Sequence, residues 1–264
     1  MAYLSSFWIP RAIFPALAIV LGILHTIYPF SHRGLEPRDV GFNMPVRILS
    51  HDPLVVHLKS FISREETAYL VSLADPLFKP SGIVDKQGFK KQSENRTSST
   101  AYLPADDPVV QRIAARAAEF QGLRSYNRAD LQLTRYHRGQ QYKPHVDWYD
   151  QFESIINNGN RITTFFVILE ASCTQCGTRF PNLRLDCDGK DPGLNETIDC
   201  GDVEGLTVRP IPGAATFWRN LHADGLGDRR TLHAGLPPED GVKIGLNIWT
   251  SVKTDIFGRM QPEK

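Results

Sequence analysis

Between Val242 and Trp249 the chain alternates with a period of two: Lys243, Gly245, Asn247 and Trp249 fall on one side, and Ile244, Leu246 and Ile248 on the other. That period belongs to a β-strand, whose successive side chains point to opposite faces. One face is apolar enough to join a core, so the other carries its lysine toward a second layer. A buried ammonium has a large desolvation cost unless an anion meets it, and a carboxylate from the protein or from a ligand is the economical partner for Lys243. Upstream, Thr231–Leu236 is a second extended run, joined to the first through Pro237-Pro238-Glu239-Asp240-Gly241. Turn-forming residues between two such runs predict a hairpin-like connection, which brings Lys243 alongside His233.

Other short apolar runs, Leu131–Tyr136, Thr163–Leu169 and Ala214–Trp218, read as further strands. Two helices precede most of them. Ser63 with Glu66 makes a capping box ahead of the stripe Tyr69, Leu70, Leu73, Ala74 and Leu77. Asp107-Pro108 opens a second helix with Val109, Val110, Ile113, Ala117 and Phe120 on its apolar side. Two helices packed on a series of short strands predict a mainly β fold with flanking helices, an antiparallel double-sheet jelly roll.

Within that fold, His145 and Asp147 are separated by one residue in Tyr142-Lys143-Pro144-His145-Val146-Asp147-Trp148. On an extended segment this spacing projects both side chains to the same side, whereas on a helix it would part them. With His233 they make two imidazoles and one carboxylate, the ligand set of an open non-haem iron(II) site with positions left for a co-substrate and dioxygen. Loops 79–99 and 221–230, rich in glycine and polar residues, are placed to cover such a site.

The segment Arg135-Tyr136-His137-Arg138-Gly139-Gln140-Gln141-Tyr142-Lys143-Pro144-His145-Val146-Asp147, with Arg179-Phe180-Pro181, His233, Lys243, Phe61–Glu66 and Arg96-Thr97-Ser98-Ser99, resembles the prolyl 4-hydroxylase type of 2-oxoglutarate- and iron(II)-dependent dioxygenase over roughly residues 53 to 253. The resemblance implies a double-stranded β-helix with the metal at its open mouth. It implies His145, Asp147 and His233 as iron ligands and Lys243 as partner of the distal carboxylate of 2-oxoglutarate. Tyr136 and Thr178 would add hydrogen bonds to that carboxylate, and Trp249 would wall the pocket. Ascorbate joins iron(II) and 2-oxoglutarate as a cofactor, and dioxygen is the second co-substrate. The implied reaction hydroxylates an unactivated C–H bond, first of all C-4 of a prolyl residue in a peptide or protein, with a small natural product as the alternative substrate and a non-catalytic jelly-roll module as the alternative role. A carboxylate at position 147 leaves no ligand vacancy for a halide, which favours hydroxylation over halogenation. Where the family usually has Gly-Gly-Glu-Thr before Phe-Pro, this chain has Gln175-Cys176-Gly177-Thr178-Arg179-Phe180-Pro181, so the loop ahead of Thr178 is built differently.

Outside this domain, taken as residues 53–255, Ala12–Tyr28 is apolar except for His25 and Thr26. It is long enough to span a thin bilayer, and residues 1–31 read as an uncleaved signal anchor. Residues 32–52 read as a linker and residues 256–264 as a tail. All four cysteines, Cys173, Cys176, Cys187 and Cys200, crowd into one segment rich in Asp, Gly and Pro, which suits two disulfides in an oxidising compartment. Zinc and redox Cys-x-x-Cys readings are the alternatives, and the disulfide connectivity is open among three. Asn95 and Asn195 stand in N-glycosylation patterns. Together these features predict a single-pass protein of the endoplasmic reticulum membrane with a lumenal catalytic domain. With 264 residues and 41% hydrophobic content, one sizeable domain plus these extras is expected. The formal net charge of +1 gives no electrostatic case for a nucleic-acid partner.

Overall fold

In the computed structural model the residues described are 44–84, 90–122, 131–151, 154–156, 159–187, 189, 191 and 193–252. The expected anchor, most of the linker and the C-terminal tail lie outside them. The fold begins earlier than the sequence suggests. Val46–His51 forms strand β1 and pairs antiparallel with β2, Leu54–Leu58, so the end of the expected linker is an edge strand.

Eleven residues, Arg64–Ala74, form helix α1, capped by Ser63. The Ser63 hydroxyl accepts from the Glu66 N–H while the Glu66 carboxylate accepts from the Ser63 N–H, so two backbone donors at the helix start are satisfied reciprocally. Leu77 of the expected stripe falls in a following 3-10 turn, Asp75–Leu77. Strands β3 (Lys79–Pro80), β4 (Ile83–Val84), β5 (Lys90–Lys91) and β6 (Ser99–Tyr102) lead to helix α2, Pro108–Phe120. Its cap Asp107 accepts from the N–H groups of Val109 and Val110. Then come β7 (Gln132–His137), β8 (Tyr142–His145), β9 (Asn160–Ala171), β10 (Thr178–Phe180), a short α3 (Leu194–Thr197), β11 (Leu206–Val208), β12 (Ala215–Arg219), β13 (His233–Gly235) and β14 (Val242–Val252).

Eight strands make a large antiparallel sheet in the order β1-β2-β12-β9-β14-β7-β6-β3, and four make a smaller one in the order β11-β10-β13-β8. The two helices pack on one face of the large sheet. Leu70, Val110 and Ile113 from the helices share a core with Phe165, Val167, Phe217, Leu246 and Ile248. The small sheet closes over the other face, where Phe166, Ile168, Phe180, Val208 and Trp218 form a second core. This explains the unbroken burial of Thr163–Leu169: its odd-numbered side chains from Phe165 onward face the helices and its even-numbered ones face the small sheet, so neither face is left to solvent. β14 divides likewise, sending Ile244, Leu246 and Ile248 to the helices. Gly245 lies under the ring of Phe166, whose Cζ would stand 2.2 Å from an added Cβ, so a larger residue there would have to displace that ring.

The cysteines form two disulfides, Cys173–Cys176 and Cys187–Cys200. That choice of connectivity leaves none of the four to hold zinc.

Candidate active site

His145 ends β8 and His233 begins β13, and the two stand opposite one another in the antiparallel register of the small sheet. Asp147 lies just past the end of β8, not within a longer strand as expected, and still turns toward both. One ligand atom from each of the three lies within 4.8 Å of the others, the one such cluster of His, Cys, Asp or Glu among the described residues. The Nε2 atoms of His145 and His233 stand 3.7 and 3.8 Å from the Asp147 carboxylate oxygens.

The imidazoles are oriented through their other nitrogens. Nδ1 of His145 lies 2.9 Å from the Lys143 carbonyl oxygen, and Nδ1 of His233 lies 3.0 Å from that of Thr231. With the ring proton on Nδ1, each imidazole would donate to its carbonyl and turn an Nε2 lone pair toward Asp147, the arrangement a metal ion needs. Burial first, and the nearby His233 second, push His145 down to about 3, so its ring is neutral at ordinary pH. Burial pushes the Asp147 carboxyl up, but His233, His145, Arg161 and the Trp249 indole outweigh it and hold it at about 2. The set is therefore the neutral His145 imidazole, the His233 imidazole and an ionised carboxylate, with donor atoms converging and both His233 and Asp147 buried. It fits a divalent cation of intermediate softness such as iron(II).

Asp147 is also braced from the large sheet. Its Oδ2 accepts from the Thr164 hydroxyl at 2.8 Å and from the Trp249 indole N–H at 3.1 Å. The Asn220 amide donates to Thr164 Oγ1 at 2.9 Å from a fully buried position. These contacts add Thr164 and Asn220, which sequence reasoning passed over. A threonine inside an apolar strand is read as a β-former, and only its even-numbered place on β9 hints that it faces the metal side.

Of the other expected residues, Tyr136, Thr178 and Trp249 line the same cavity of about 310 Å³ as the three ligands. Lys243 is not in that wall. It is fully buried, with its Nζ 4.8 Å from the centroid of the Tyr136 ring, and it donates to the carbonyl oxygens of Cys176 at 2.5 Å, Leu236 at 3.2 Å and Gly177 at 3.3 Å. Of the two partners considered for it, a protein carboxylate does not meet it: among the described residues the ammonium's hydrogen bonds go to carbonyls. Burial accordingly pushes Lys243 down to about 7. Carbonyl dipoles offset desolvation only in part, and an anionic ligand reaching this corner would restore the charge. Burial likewise pushes the Tyr136 hydroxyl up, keeping it a neutral donor beside Thr178.

At the mouth, the Tyr142 ring stacks on His145 with centroids 3.5 Å apart, and the Arg96 guanidinium lies 4.7 Å over Tyr142. Arg161 lies 3.8 Å over Trp249 and donates to the Asp147 carbonyl oxygen. From the two expected cover loops, Gly82 and Arg96 line the cavity, and Gly227 packs directly under Trp148, whose indole N–H donates to the Asp228 carbonyl.

Comparison with known proteins extends the geometry. The sequence pattern of the 2OG-Fe(II) oxygenase superfamily matches residues 131–251, which include all three candidate ligands and Lys243. The chain is 36% identical over 211 residues to prolyl 4-hydroxylase 5 of Arabidopsis thaliana, covering 79% of this chain and 70% of that protein. It is 32% identical over 220 residues to prolyl 4-hydroxylase subunit alpha-2 of Caenorhabditis elegans, covering 81% of this chain and 37% of the other. Among solved structures, the viral collagen prolyl hydroxylase of Paramecium Bursaria Chlorella virus-1 superposes with a TM-score of 0.54 at 23% identity, over 74% of this chain and 94% of that one. This last likeness concerns the double-stranded β-helix fold.

Proposed function

Since this chain belongs to the prolyl 4-hydroxylases, a family of 2-oxoglutarate- and Fe(II)-dependent dioxygenases, we propose that it hydroxylates C-4 of a prolyl residue in a peptide or protein substrate, with iron(II) held by His145, Asp147 and His233. The observation that carries this reading is the convergence of three ligand atoms, from half-buried His145 and buried Asp147 and His233, two of them on neighbouring strands of one sheet. Iron(II) and 2-oxoglutarate, when bound, activate dioxygen, so that the co-substrate loses carbon dioxide to become succinate while one oxygen atom goes to the C–H bond.

The protein's part is to bind, orient and shield. Lys243 is the cation for the distal carboxylate of 2-oxoglutarate; Tyr136 and Thr178 supply neutral donors beside it, and Trp249 closes the wall while steadying Asp147. Thr164 and Trp249 hold one carboxylate oxygen of Asp147 from behind, so the other is left for the metal. The aromatic and guanidinium groups at the mouth, Tyr142, Trp148, Arg96 and Arg161, suit an extended peptide that presents an apolar ring between carbonyl groups needing donors. Ascorbate as reductant, the N-terminal membrane anchor, glycans at Asn95 and Asn195, and a lumenal site in the endoplasmic reticulum belong to the same reading. Two disulfides and the apolar run Ala12–Tyr28 support the compartment, and both asparagines are exposed.

The test is incubation of the purified chain with iron(II), 2-oxoglutarate, ascorbate and proline-containing peptides, reading succinate release and a mass gain of one oxygen on proline. Matched formation of succinate and 4-hydroxyproline, abolished by His145→Ala or Asp147→Ala, is expected. Oxygen transfer confined to small molecules would overturn the substrate assignment, and absence of any 2-oxoglutarate turnover would overturn the reaction.

A further inference from the structure

The loop between β9 and β10 contains a Cys-x-x-Cys pair that the reaction itself does not use. Cys173 and Cys176 are both buried and bonded to each other. Cys173 lies against β14, its Sγ 3.7 Å from the Val242 carbonyl oxygen, and the preceding residue is clipped to the same strand end. Ser172 N–H donates to the Val242 carbonyl, and Val242 N–H donates to the Ser172 hydroxyl. Immediately beyond the bond, the carbonyls of Cys176 and Gly177 receive the Lys243 ammonium, and Thr178 begins β10 in the cavity wall.

An ammonium has three donors, and here three carbonyls take them. A carboxylate can therefore pair with Lys243 only by displacing one carbonyl. The contacts to Cys176 and Gly177 are fully buried, whereas that to Leu236 is only partly so. The two carbonyls next to the disulfide thus form the rear anchor, and the Leu236 carbonyl is the one an arriving anion replaces.

We infer that the Cys173–Cys176 disulfide is a positioning element of the co-substrate pocket, which fixes the Cys176 and Gly177 carbonyls that aim Lys243 and the start of the strand that carries Thr178. The inference rests on Lys243 being the partner of the 2-oxoglutarate carboxylate. With the bond open, the four-residue loop regains backbone freedom, the rear anchor loosens, and the ammonium is no longer held where the carboxylate arrives. The iron ligands take no part in this loop, so metal affinity is independent of it.

The experiment uses the full chain loaded with manganese(II), which binds without turnover, and measures 2-oxoglutarate dissociation constants by calorimetry and manganese affinity by electron paramagnetic resonance. Cys173→Ser/Cys176→Ser should weaken 2-oxoglutarate by about tenfold, the scale of one lost hydrogen bond to a charged group, with manganese affinity unchanged. The matched control Cys187→Ser/Cys200→Ser should bind as the parent does. Adding Lys243→Ala to Cys173→Ser/Cys176→Ser should be no worse than Lys243→Ala alone, since both act through one contact, whereas a general structural role would multiply the losses. Should the first variant fail to fold, the control variant, which keeps only Cys173–Cys176, is titrated with and without a dithiol. The dithiol passes two electrons and two protons to the pair, becoming a disulfide itself, and the same weakening is expected. Unchanged 2-oxoglutarate binding in either format, or multiplied losses, overturns the inference. Lys243→Ala binding 2-oxoglutarate like the parent would instead overturn the role of Lys243, and this inference with it.

Discussion

At the scale of single residues, function depends on how few groups surround each reactive atom. Asp147 is held at Oδ2 by Thr164 and Trp249, and removal of one of these donors leaves the carboxylate free to rotate away from the imidazoles. Thr164→Val keeps shape and burial while deleting the hydroxyl, and we expect metal affinity to fall by about 10- to 100-fold; a calorimetric titration with manganese(II) that matches the parent would refute the bracing role. Lys243→Ala should raise the KM for 2-oxoglutarate far more than it lowers kcat, because an unpaired buried carboxylate costs about 2–5 kcal/mol. An unchanged KM would refute the pairing of Lys243 with the co-substrate. The ligands were legible because one-residue spacing and strand alternation are local properties. The bracing residues were not, because Thr164 meets Asp147, and Asn220 meets Thr164, only after segments distant in sequence have come together. The direction of the Lys243 ammonium was equally illegible: the alternation gives the face, but two of the carbonyls that capture it, those of Cys176 and Gly177, belong to a loop distant in sequence.

At the scale of elements, α1 is fixed at its start as much as along its length. Glu66 closes the capping box and also receives both guanidinium nitrogens of Arg116 from α2, at 2.9 and 2.8 Å, with little of either side chain exposed. Glu66→Ala should therefore destabilise the protein by about 3–5 kcal/mol, as loss of one partner of a buried pair does. Urea unfolding measures it, and a loss below about 1 kcal/mol, the value of an exposed pair, would contradict the assignment. Both helices and the central strands were readable from period and caps, since each buries a stripe or a face. β1 was not: Val46 and Ile48 are exposed on this edge strand, and Arg47 and His51 break the pattern, so the segment has the composition of a linker. Its strand character comes from β2 beside it and not from its own residues.

Across the whole molecule, the strand order is where sequence reasoning stops, because β2, β12, β9 and β14 are neighbours in space and distant along the chain. That ordering places His57 of β2 inside the fold, where burial first, then Arg47 and Lys59, push its imidazole down to about 4. The unfolded chain binds this proton near pH 6.5 and the folded one near 4, so between these values the unfolded state holds more protons. Stability is then fully present above pH 6.5 and declines as pH falls toward 4, by about 2 kcal/mol at pH 5 from this residue alone. His57→Leu should flatten that decline in urea midpoints compared at pH 7 and pH 5; an identical pH slope would exclude His57 as its source. The placement of the metal ligands has a further outcome. Two of them stand on the small sheet, while Asp147 is bonded to donors from the large one. An ion seated there rivets the two halves of the sandwich, so iron supply would govern the lifetime of the enzyme as well as its turnover, and iron-starved molecules would be the first that proteases remove.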